Sequence, residues 1–259
     1  MYYLCKMKYL FIILFSFYAW PGNAQQADIS INKTDKNGWK QGPWKKYYAD
    51  GQTVRYEGSF VNDKPTGKFR HYYDTGTLKA ENFYYDNGKR TRSKIYYPDG
   101  KTLMSQGNFV EEKKDSVWNF FDMDGKLKSV EIYKNFMKNG VSKTFFANGK
   151  VCDEITWKDS VMNGPSKQYF DNGNLKISSN YVDGELDGEY KVYFPEGAVS
   201  IEGVYKKSLR EGKWKFYKEP NVLEKEAEYK NGVTDAALEQ KAVPLNEKEL
   251  EKLKQNGID

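Results

Sequence analysis

The residues of this chain that are best suited to chemistry are aromatic rings recurring at a fixed distance along the sequence. Aromatic side chains make up 16% of the 259 residues, with 21 Tyr, 15 Phe and 6 Trp. Exposed rings bind other rings, apolar surfaces and the faces of sugars by stacking. The chemistry that this pattern indicates is therefore non-covalent recognition.

Groups for covalent or metal chemistry are scarce. His71 is the single histidine, and the two cysteines are Cys5 and Cys152. This set cannot supply a His-based triad, an HExxH zinc site or a CxxC pair, and the GxSxG and GxxxxGK[ST] motifs are absent from the sequence. Asp and Glu are plentiful, so a pair of catalytic carboxylates stays open as the disfavoured alternative. We predict that the protein is not an enzyme and uses no metal or cofactor.

The aromatic residues belong to a repeat of 24 or 25 residues. A unit opens with glycine in most copies, continues into a segment that ends in two aromatics, passes a turn such as Asn-Gly or Asp-Gly, and closes on another aromatic. Units 1 to 8 start at Gly42, Gly67, Thr91, Ser116, Gly140, Gly164, Gly188 and Gly212. A fixed period in this range is the signature of a repeat array.

Each unit is predicted to be a β-hairpin. Asn-Gly and Asp-Gly between alternating segments favour tight hairpin turns, because both central residues tolerate positive φ. Units 1 and 3 carry one extra residue after the turn glycine, which predicts three-residue loops there and two-residue loops elsewhere. The sequence thus predicts an all-β fold, with an elongated, curved, single-layer antiparallel sheet of about eight consecutive hairpins over residues 42–232.

A two-residue loop also predicts which residues face each other. It places Phe146 opposite Val151 and Phe194 opposite Val199. The same counting sets a base against an acid in five units: Lys45 and Glu57, Arg70 and Glu81, Lys143 and Glu154, Lys191 and Glu202, Lys215 and Glu226. Such pairs stabilise a hairpin. The repeated basic column, which alone would suggest a polyanion site, is therefore interpreted as a solvated structural face in which only Lys94 and Lys167 lack an acid across the hairpin.

Period-2 alternation places the larger rings of each unit on the opposite face. This aromatic face is predicted to be the core, the binding surface or both. Its candidate binding residues are Trp44, Tyr48, Phe69, Tyr73, Tyr97, Trp118, Phe146, Trp157, Phe170, Tyr190, Phe194 and Trp214. In the same register Trp44 lies opposite Gly58 and Tyr190 opposite Gly203, where a ring compensates for a weak strand glycine.

The start of the chain differs from the array. Residues 1–24 combine Lys6 and Lys8 with an apolar run over residues 9–20 and small residues at the cleavage positions, which is typical of a secretory signal peptide. An uncleaved membrane anchor is the alternative, disfavoured because a bilayer crossing needs about 20 apolar residues. We therefore expect the protein to be exported, to the periplasm, the cell surface or the medium.

Two further segments flank the array. Residues 25–41 form a leader that could supply a capping strand. Residues 233–259 form a tail in which Asn246 and Glu249 make a capping box, which predicts a short amphipathic helix. Over the whole chain 41 Lys and Arg stand against 36 Asp and Glu, a balance too even to predict nucleic acid as a partner.

Several short motifs identify what the repeat resembles. They are Gly42-Pro43-Trp44, Tyr47-Tyr48, Gly51, Gly67, Tyr72-Tyr73, Gly76, Gly164, Tyr169-Phe170, Gly173, Gly188, Gly197, Gly212 and Trp214. With these residues the chain resembles the MORN-repeat variant of bacterial proteins, often grouped as the YwqK-type antitoxin family. The resemblance implies a single-layered sheet of hairpins acting as an interaction scaffold, in relatives proposed to bind proteins or membrane lipids. The antitoxin name implies a partner toxin.

Together these features predict an exported, non-enzymatic repeat scaffold. Its partner is expected to be a protein or another envelope macromolecule held on the aromatic face, and the near-even charge gives no support to lipid contact. A glycan- or cell-wall-binding module is one alternative, since Tyr and Trp platforms stack on sugar rings. An antitoxin-like or immunity protein that neutralises an exported toxin is the other.

Overall fold

A computed structural model of the protein describes residues 30–234, which form one open antiparallel sheet of twenty strands. The first ten are β1 (Lys33–Thr34), β2 (Lys40–Tyr47), β3 (Val54–Val61), β4 (Lys64–Tyr72), β5 (Leu78–Tyr85), β6 (Arg90–Tyr96), β7 (Leu103–Val110), β8 (Lys113–Phe121), β9 (Leu127–Lys134) and β10 (Met137–Lys138). The others are β11 (Gly140–Phe145), β12 (Val151–Lys158), β13 (Val161–Tyr169), β14 (Leu175–Val182), β15 (Glu185–Leu186), β16 (Gly188–Tyr193), β17 (Val199–Lys206), β18 (Leu209–Glu219), β19 (Val222–Lys230) and β20 (Val233–Thr234).

The strands pair in the order in which they occur in the chain, as the repeat predicts. The first strand of unit 5 is divided into β10 and β11, which both pair with β9. The first strand of unit 7 is likewise divided into β15 and β16, which both pair with β14. The all-β sheet of consecutive hairpins is thus confirmed for the part of the chain that the structure describes.

The turns inside the units, which we call tip turns, are one residue longer than predicted. The amide of Phe146 donates to the carbonyl of Lys150 at 2.9 Å, and the amide of Gly149 donates to the carbonyl of Phe146 at 2.9 Å. Three residues therefore form this loop, and Gly149 takes the left-handed φ of 82° that such loops require. In unit 1 the amide of Tyr48 instead bonds the carbonyl of Thr53, giving four residues. The predicted extra residue in units 1 and 3 is confirmed, while both predicted loop lengths were too short.

The longer loop shifts the pairing beside each tip turn. Phe145, and not Phe146, lies opposite Val151, and in unit 7 Tyr193, and not Phe194, lies opposite Val199. A β-bulge at the next residue of the second strand then restores the predicted register. All five predicted base–acid positions, from Lys45 opposite Glu57 onward, are consequently correct.

The turns between the units, which we call linking turns, join each hairpin to the next. Most hold two residues that both have positive φ, such as Asn62 at 52° and Asp63 at 62°. This is the backbone of a type I′ turn, whose twist matches that of the flanking strands. The linking turns make neighbouring hairpins continuous at the sheet edge, and the sequence analysis assigned no turn type to them.

The core lies on one face of the sheet and is made of rings packed edge to face. Phe60 and Phe69 have centroids 5.2 Å apart at 89°, and Phe109 contacts Trp118 in the same way at 4.8 Å. Trp214 is surrounded by further rings, with the centroid of Tyr205 at 5.0 Å. The aromatic face is thus the core of the described residues.

Three predicted segments lie partly or wholly outside the described residues. The signal peptide of residues 1–24 and the C-terminal helix predicted within residues 233–259 lie outside them. Within the leader, β1 pairs Lys33 with Gln41 and Thr34 with Lys40. Residues 30–234 contain no helix of the length and hydrophobicity that a bilayer crossing needs.

Candidate binding face

The two faces of the sheet differ in chemistry because alternate residues point to opposite sides. One, called here the ladder face, carries the basic column with Lys45, Arg70 and Lys143. The other, called the aromatic face, carries Trp44 and the buried rings. We describe the ladder face first, because it decides where binding groups remain available.

On the ladder face the acids of the second strands contact bases of a neighbouring strand, and Glu57 contacts bases from both. Glu57 lies 3.3 Å from the Lys45 Nζ and 3.8 Å from an Arg70 nitrogen, and Arg70 also reaches Glu81 at 3.4 Å. Lys94 is aligned with Glu81 in the adjacent strand. The same holds for the other predicted exception, Lys167, which faces Glu154. Both exceptions thus face an acid of the preceding unit, although neither forms an ion pair within residues 30–234, and this alignment supports the structural interpretation of the basic column.

Two of the predicted ion pairs have the right register but a different contact. The Lys191 Nζ lies 3.1 Å from Glu189 on its own strand, although its backbone is aligned with Glu202. The Lys215 Nζ lies 3.4 Å from Glu202 of the preceding hairpin. Backbone pairing was therefore predictable, while the choice between two acids within reach was not.

Tyrosine hydroxyls also form hydrogen bonds with the acids of the ladder face. The Tyr72 hydroxyl donates to the Glu57 Oε1 at 2.7 Å, and that bond, with further help from Lys45, holds the pKa of Glu57 below its ordinary value. Burial and the same carboxylate raise the pKa of Tyr72 to about 12. The bond recurs between units as Tyr96 to Glu81, Tyr169 to Glu154 and Tyr217 to Glu202.

On the aromatic face, large rings lie over strand glycines. A Cβ at Gly58 would overlap the ring of Phe69, and one at Gly107 would overlap the ring of Trp118. The predicted alignment of Trp44 with Gly58 is confirmed, but the nearest ring comes from the following unit. Each of these rings therefore packs its own hairpin against the preceding one.

Where a unit has serine at the ring position, the preceding strand has a larger residue in place of glycine. Ser93 is aligned with Asn82 and donates its hydroxyl to the Asn82 Oδ1 at 2.7 Å. Ser166 is aligned with Ile155. Both serines are buried, at 2% and 6% exposure. A small residue in one unit is thus aligned with a larger residue in the neighbouring unit, and we call the two a size-matched pair.

The predicted binding residues divide by burial. Phe69, Trp118 and Trp214 are 3%, 0% and 0% exposed, so they offer no ring surface to a ligand. The other nine are half-buried: Trp44, Tyr48, Tyr73, Tyr97, Phe146, Trp157, Phe170, Tyr190 and Phe194. Among the strand rings of this set, Trp44, Trp157 and Tyr190 remain as candidates for contact with a partner.

Six of the predicted residues lie at the tip turns and not on the strands. The Tyr48 hydroxyl donates to the carbonyl of Tyr72 at 2.7 Å, tying one tip turn to the next. Tyr73 and Tyr97 make the same bond at 2.8 Å. Phe146, Phe170 and Phe194 have no hydroxyl; in the units of Phe146 and Phe170 an asparagine makes the tie, as when Asn148 donates to the carbonyl of Asp171. The tip tyrosines thus hold hairpins together.

Cations cover much of the aromatic face, which the sequence analysis missed. The Lys40 Nζ lies 5.3 Å from the ring centre of Trp44, and the Lys138 Nζ lies 5.1 Å from that of Trp157. Lys114 and Arg210 lie 4.8 and 4.6 Å from the rings of Trp118 and Trp214. Such contacts are cation–π interactions. Each of these four bases stands two residues before the start of its unit, which is the signal that could have revealed them.

Next to Trp157 the aromatic face becomes polar. Glu131 accepts a hydrogen bond from Tyr133 and lies 3.0 Å from the Lys138 Nζ. The Ser142 hydroxyl and the Trp157 Nε1 have no hydrogen-bond partner among the described residues, although both atoms are buried. Buried polar atoms without a partner are costly. This stretch therefore combines charged groups at the surface with two unpaired polar atoms beneath it.

The single histidine and the cysteine of the described residues are both partly buried. Burial, then the nearby Lys79 and Arg55, lower the pKa of His71, so its ring is neutral at pH 7. Burial raises the pKa of the Cys152 thiol to about 11, which keeps it protonated. Residues 30–234 hold no group of three or more His, Cys, Asp or Glu side chains arranged for a metal ion.

Comparison with known proteins places this geometry in a family. The model of the MORN repeat variant matches residues 40–62, 65–87, 138–159, 162–183, 186–207 and 210–231, which together exceed half of the chain. The chain belongs to the MORN repeat variant family. The six matches are units 1, 2 and 5 to 8. The family model does not match units 3 and 4, yet their strands β6 to β9 pair as the strands of the other units do.

Other comparisons add little to this assignment. No curated protein matches the chain. Among solved structures, the crystal structure of TarM is 14% identical with a TM-score of 0.21, covering 47% of this chain and 19% of that one. A mutant of S. aureus TarM in complex with fondaparinux, alpha-GlcNAc-glycerol and UDP is 15% identical, with the same coverage and TM-score. The MORN chain thus spans about a fifth of the length of these structures, and the likeness carries no argument about its function.

Proposed function

We propose that this MORN repeat variant protein is an exported, non-catalytic scaffold that binds a protein or another envelope macromolecule through its aromatic face. The observation that supports this is the difference between the two faces. Along most of the ladder face, charged groups are paired with each other. The aromatic face instead keeps half-buried rings beside cations, of which Lys40 forms no ion pair among the described residues and Lys138 also contacts Glu131.

The pairs Trp44 with Lys40 and Trp157 with Lys138 are the most accessible of these elements. Each combines an apolar ring with an ammonium group about 5 Å away. A partner that presents a carboxylate beside an apolar or aromatic group satisfies both at once, because the ring binds by stacking and the cation by charge. Repetition along the sheet adds such contacts together, which raises avidity without any single strong site.

Export is proposed from the sequence of residues 1–24 and decides where the partner is sought. The test is therefore a pull-down from an envelope extract with the purified protein. We expect a partner retained by the wild type and lost from Trp44→Ala and Trp157→Ala. Trp39→Ala is the matched control, since Trp39 is 46% exposed and precedes the array. A partner that is retained equally by all three variants would show that the aromatic face is not the binding surface.

A glycan-binding module is the second candidate, favoured by the half-buried ring of Trp157 beside the Lys138 Nζ and the Glu131 carboxylate oxygens. Sugars offer hydroxyls to such atoms and a flat face to the indole. Retention on peptidoglycan or polysaccharide resin, lost in Trp157→Ala, would favour this candidate. Trp118→Ala is unsuitable for the test because Trp118 is buried and its loss would destabilise the sheet. Neutralising an exported toxin, as the antitoxin name implies, would be a special case of binding a protein.

A further inference from the structure

The column of charged pairs on the ladder face is interrupted in unit 4. At the positions that carry bases and acids elsewhere, unit 4 has Asn119 opposite Val130. Six nearby positions on this face, on β8, β9 and β11, carry apolar side chains, with Lys143 between two of them. We call this patch the apolar window, and its residues are Val117, Phe121, Val130, Ile132, Val141 and Phe145.

The centre of the apolar window is a row across three neighbouring strands. Val117 of β8 is aligned with Ile132 of β9, and Val141 lies on the same face of the adjacent β11, two residues before Lys143, which is aligned with Val130. Val117 is 47% exposed and Val141 is 41% exposed. Exposed apolar side chains that adjoin one another, within an otherwise charged face, are typical of an interaction site.

The apolar character continues to the linking turn beside this row. Phe136 is 64% exposed and Met137 is 40% exposed. Phe136 also has a φ of 73°, in the left-handed region that bulky residues avoid. The same turn position is polar or glycine elsewhere, namely Asp63, Glu112, Ser160, Gly184, Ser208 and Gly232. A strained and exposed phenylalanine has no stabilising role in its own turn, which points to an external contact.

Exposed bases flank the window on both sides, and the acid Glu154 of β12 stands among them on the same face. Arg92 and Lys94 on β6 and Lys167 on β13 are exposed and make no ion pair among the described residues. Lys143, between them, is paired with Glu154 at 2.7 Å. From β6 to β13 there are six strand spacings of about 4.8 Å, or roughly 29 Å. The window is therefore an apolar strip with an exposed cation at each end, and neither cation is held in an ion pair by the acid aligned with it.

We propose that the apolar window docks an acidic amphipathic segment of a partner protein. Its apolar stripe would cover Val117, Ile132 and Val141, and its carboxylates would reach Lys94 and Lys167. A helix of about 20 residues spans roughly 30 Å, which matches the distance between the cations. This site lies on the opposite face from the binding surface proposed above and does not depend on it.

Two other occupants fit less well. A second copy of this chain would bring the same unpaired bases against Lys94 and Lys167, and like charges disfavour that contact. An anionic lipid surface is broad, and it would approach Glu81 and Glu154, which stand on the same face beside those bases. A narrow segment can place its carboxylates on the bases and avoid these acids.

The test uses fluorescence anisotropy with a labelled 20-residue peptide that carries a leucine stripe flanked by glutamates. A sister peptide has lysine in place of each glutamate. We expect the acidic peptide to bind with a Kd below about 100 μM and the basic one not to bind, with Val117→Lys and Val141→Lys each weakening binding about tenfold or more. Val204→Lys is the matched control, because Val204 is 43% exposed on the same face outside the window.

A second variant separates docking from folding. In Phe136→Asn the turn gains a residue that tolerates positive φ, so the Tm should rise while the acidic peptide binds several-fold more weakly. Failure of the acidic peptide to bind would overturn the proposal. Equal binding of the acidic and the basic peptide would also overturn it, as would acidic-peptide binding that Val117→Lys leaves unchanged. If the acidic peptide does not bind but anionic phospholipid vesicles do, and Val117→Lys abolishes the vesicle binding, the window would instead be a lipid site.

Discussion

The indole of Trp214 lies over Gly203 of the preceding hairpin so closely that a Cβ on Gly203 would overlap the ring. The Trp214 ring is fully buried, and its Nε1 donates to the carbonyl of Val204 at 3.2 Å. Trp118 repeats both features with Gly107 and the carbonyl of Asn108. Each such pair couples two units, so the stability of the array depends on contacts between neighbours.

The first prediction concerns that contact. Gly203→Ala should lower the free energy of unfolding by about 1–3 kcal/mol, because the added methyl group collides with a ring that has no free space. Thermal or urea unfolding measures the loss. Val204→Ala, on the next residue and the opposite face, should change stability far less. Equal effects of the two substitutions would show that the ring does not fill the glycine site.

The size-matched pairs allow a rescue experiment. Gly107→Asn alone should destabilise strongly, as should Trp118→Ser, since each breaks the match. The double variant recreates the pairing of Asn82 with Ser93 and should recover part of both losses, giving a coupling free energy of about 1 kcal/mol or more. Simple additivity of the two losses would contradict the size-matching rule.

The next prediction concerns pH. The pKa of Glu57 is lowered when folded, so its contribution to stability is present above its ordinary pKa near 4.5 and is lost as the pH falls through the lower folded value. Tyr72→Phe removes the largest cause of that lowering. The variant should therefore lose less stability than the wild type between pH 6 and pH 3, as measured by urea unfolding. Tyr47→Phe, at the same repeat position but with no preceding acid, is the control.

The hydrogen bond between Tyr72 and Glu57 also predicts a loss of stability at alkaline pH. The pKa of Tyr72 is raised to about 12 when folded, so its contribution is complete below pH 10 and declines as the pH rises from 10 towards 12. Tyr72→Phe should lack this part of the decline. An identical alkaline profile in the variant would contradict the hydrogen bond from Tyr72 to Glu57.

A further prediction tests the ladder contacts. Lys143→Glu and Glu154→Lys should each destabilise, and the charge-swapped double variant should recover about 0.2–1 kcal/mol, less in high salt, because the two groups lie 2.7 Å apart at a partly exposed site. The swap of Lys191 with Glu202 should recover less, since the Lys191 Nζ contacts Glu189. A double-mutant cycle in urea measures both couplings, and equal values would contradict the difference in contacts.

Much of the fold was predictable because the repeat constrains it eight times over. The hairpins, their order and the opposition of Lys45 to Glu57 follow from alternation and period. The pairing beside the tip turns was not predictable in this way. The loop of unit 5 holds one residue more than the turn signal suggests, which shifts the pairing of Phe145 and Val151. The bulge at Cys152 cancels that shift, so the pairing farther from the turn is the predicted one.

The aromatic residues of the candidate site were predictable from the sequence, but the cations that lie over them were not. Alternation places Trp44 and Trp157 on one face without any knowledge of packing. It does not show that Trp118 is buried, because burial there comes from a glycine in the preceding unit and from Lys114 above the ring. Long lysine side chains reach across strands, and their contacts depend on register in three dimensions.

Hydroxyl-radical footprinting of the protein, with and without an envelope extract, tests the central claim most directly. The scaffold proposal predicts that Trp44 and Trp157 become protected from oxidation in the extract, while Tyr47, exposed at 38% on the ladder face, reacts as before. Unchanged oxidation of Trp44 and Trp157, or protection confined to ladder-face residues such as Tyr47, would contradict binding through the aromatic face.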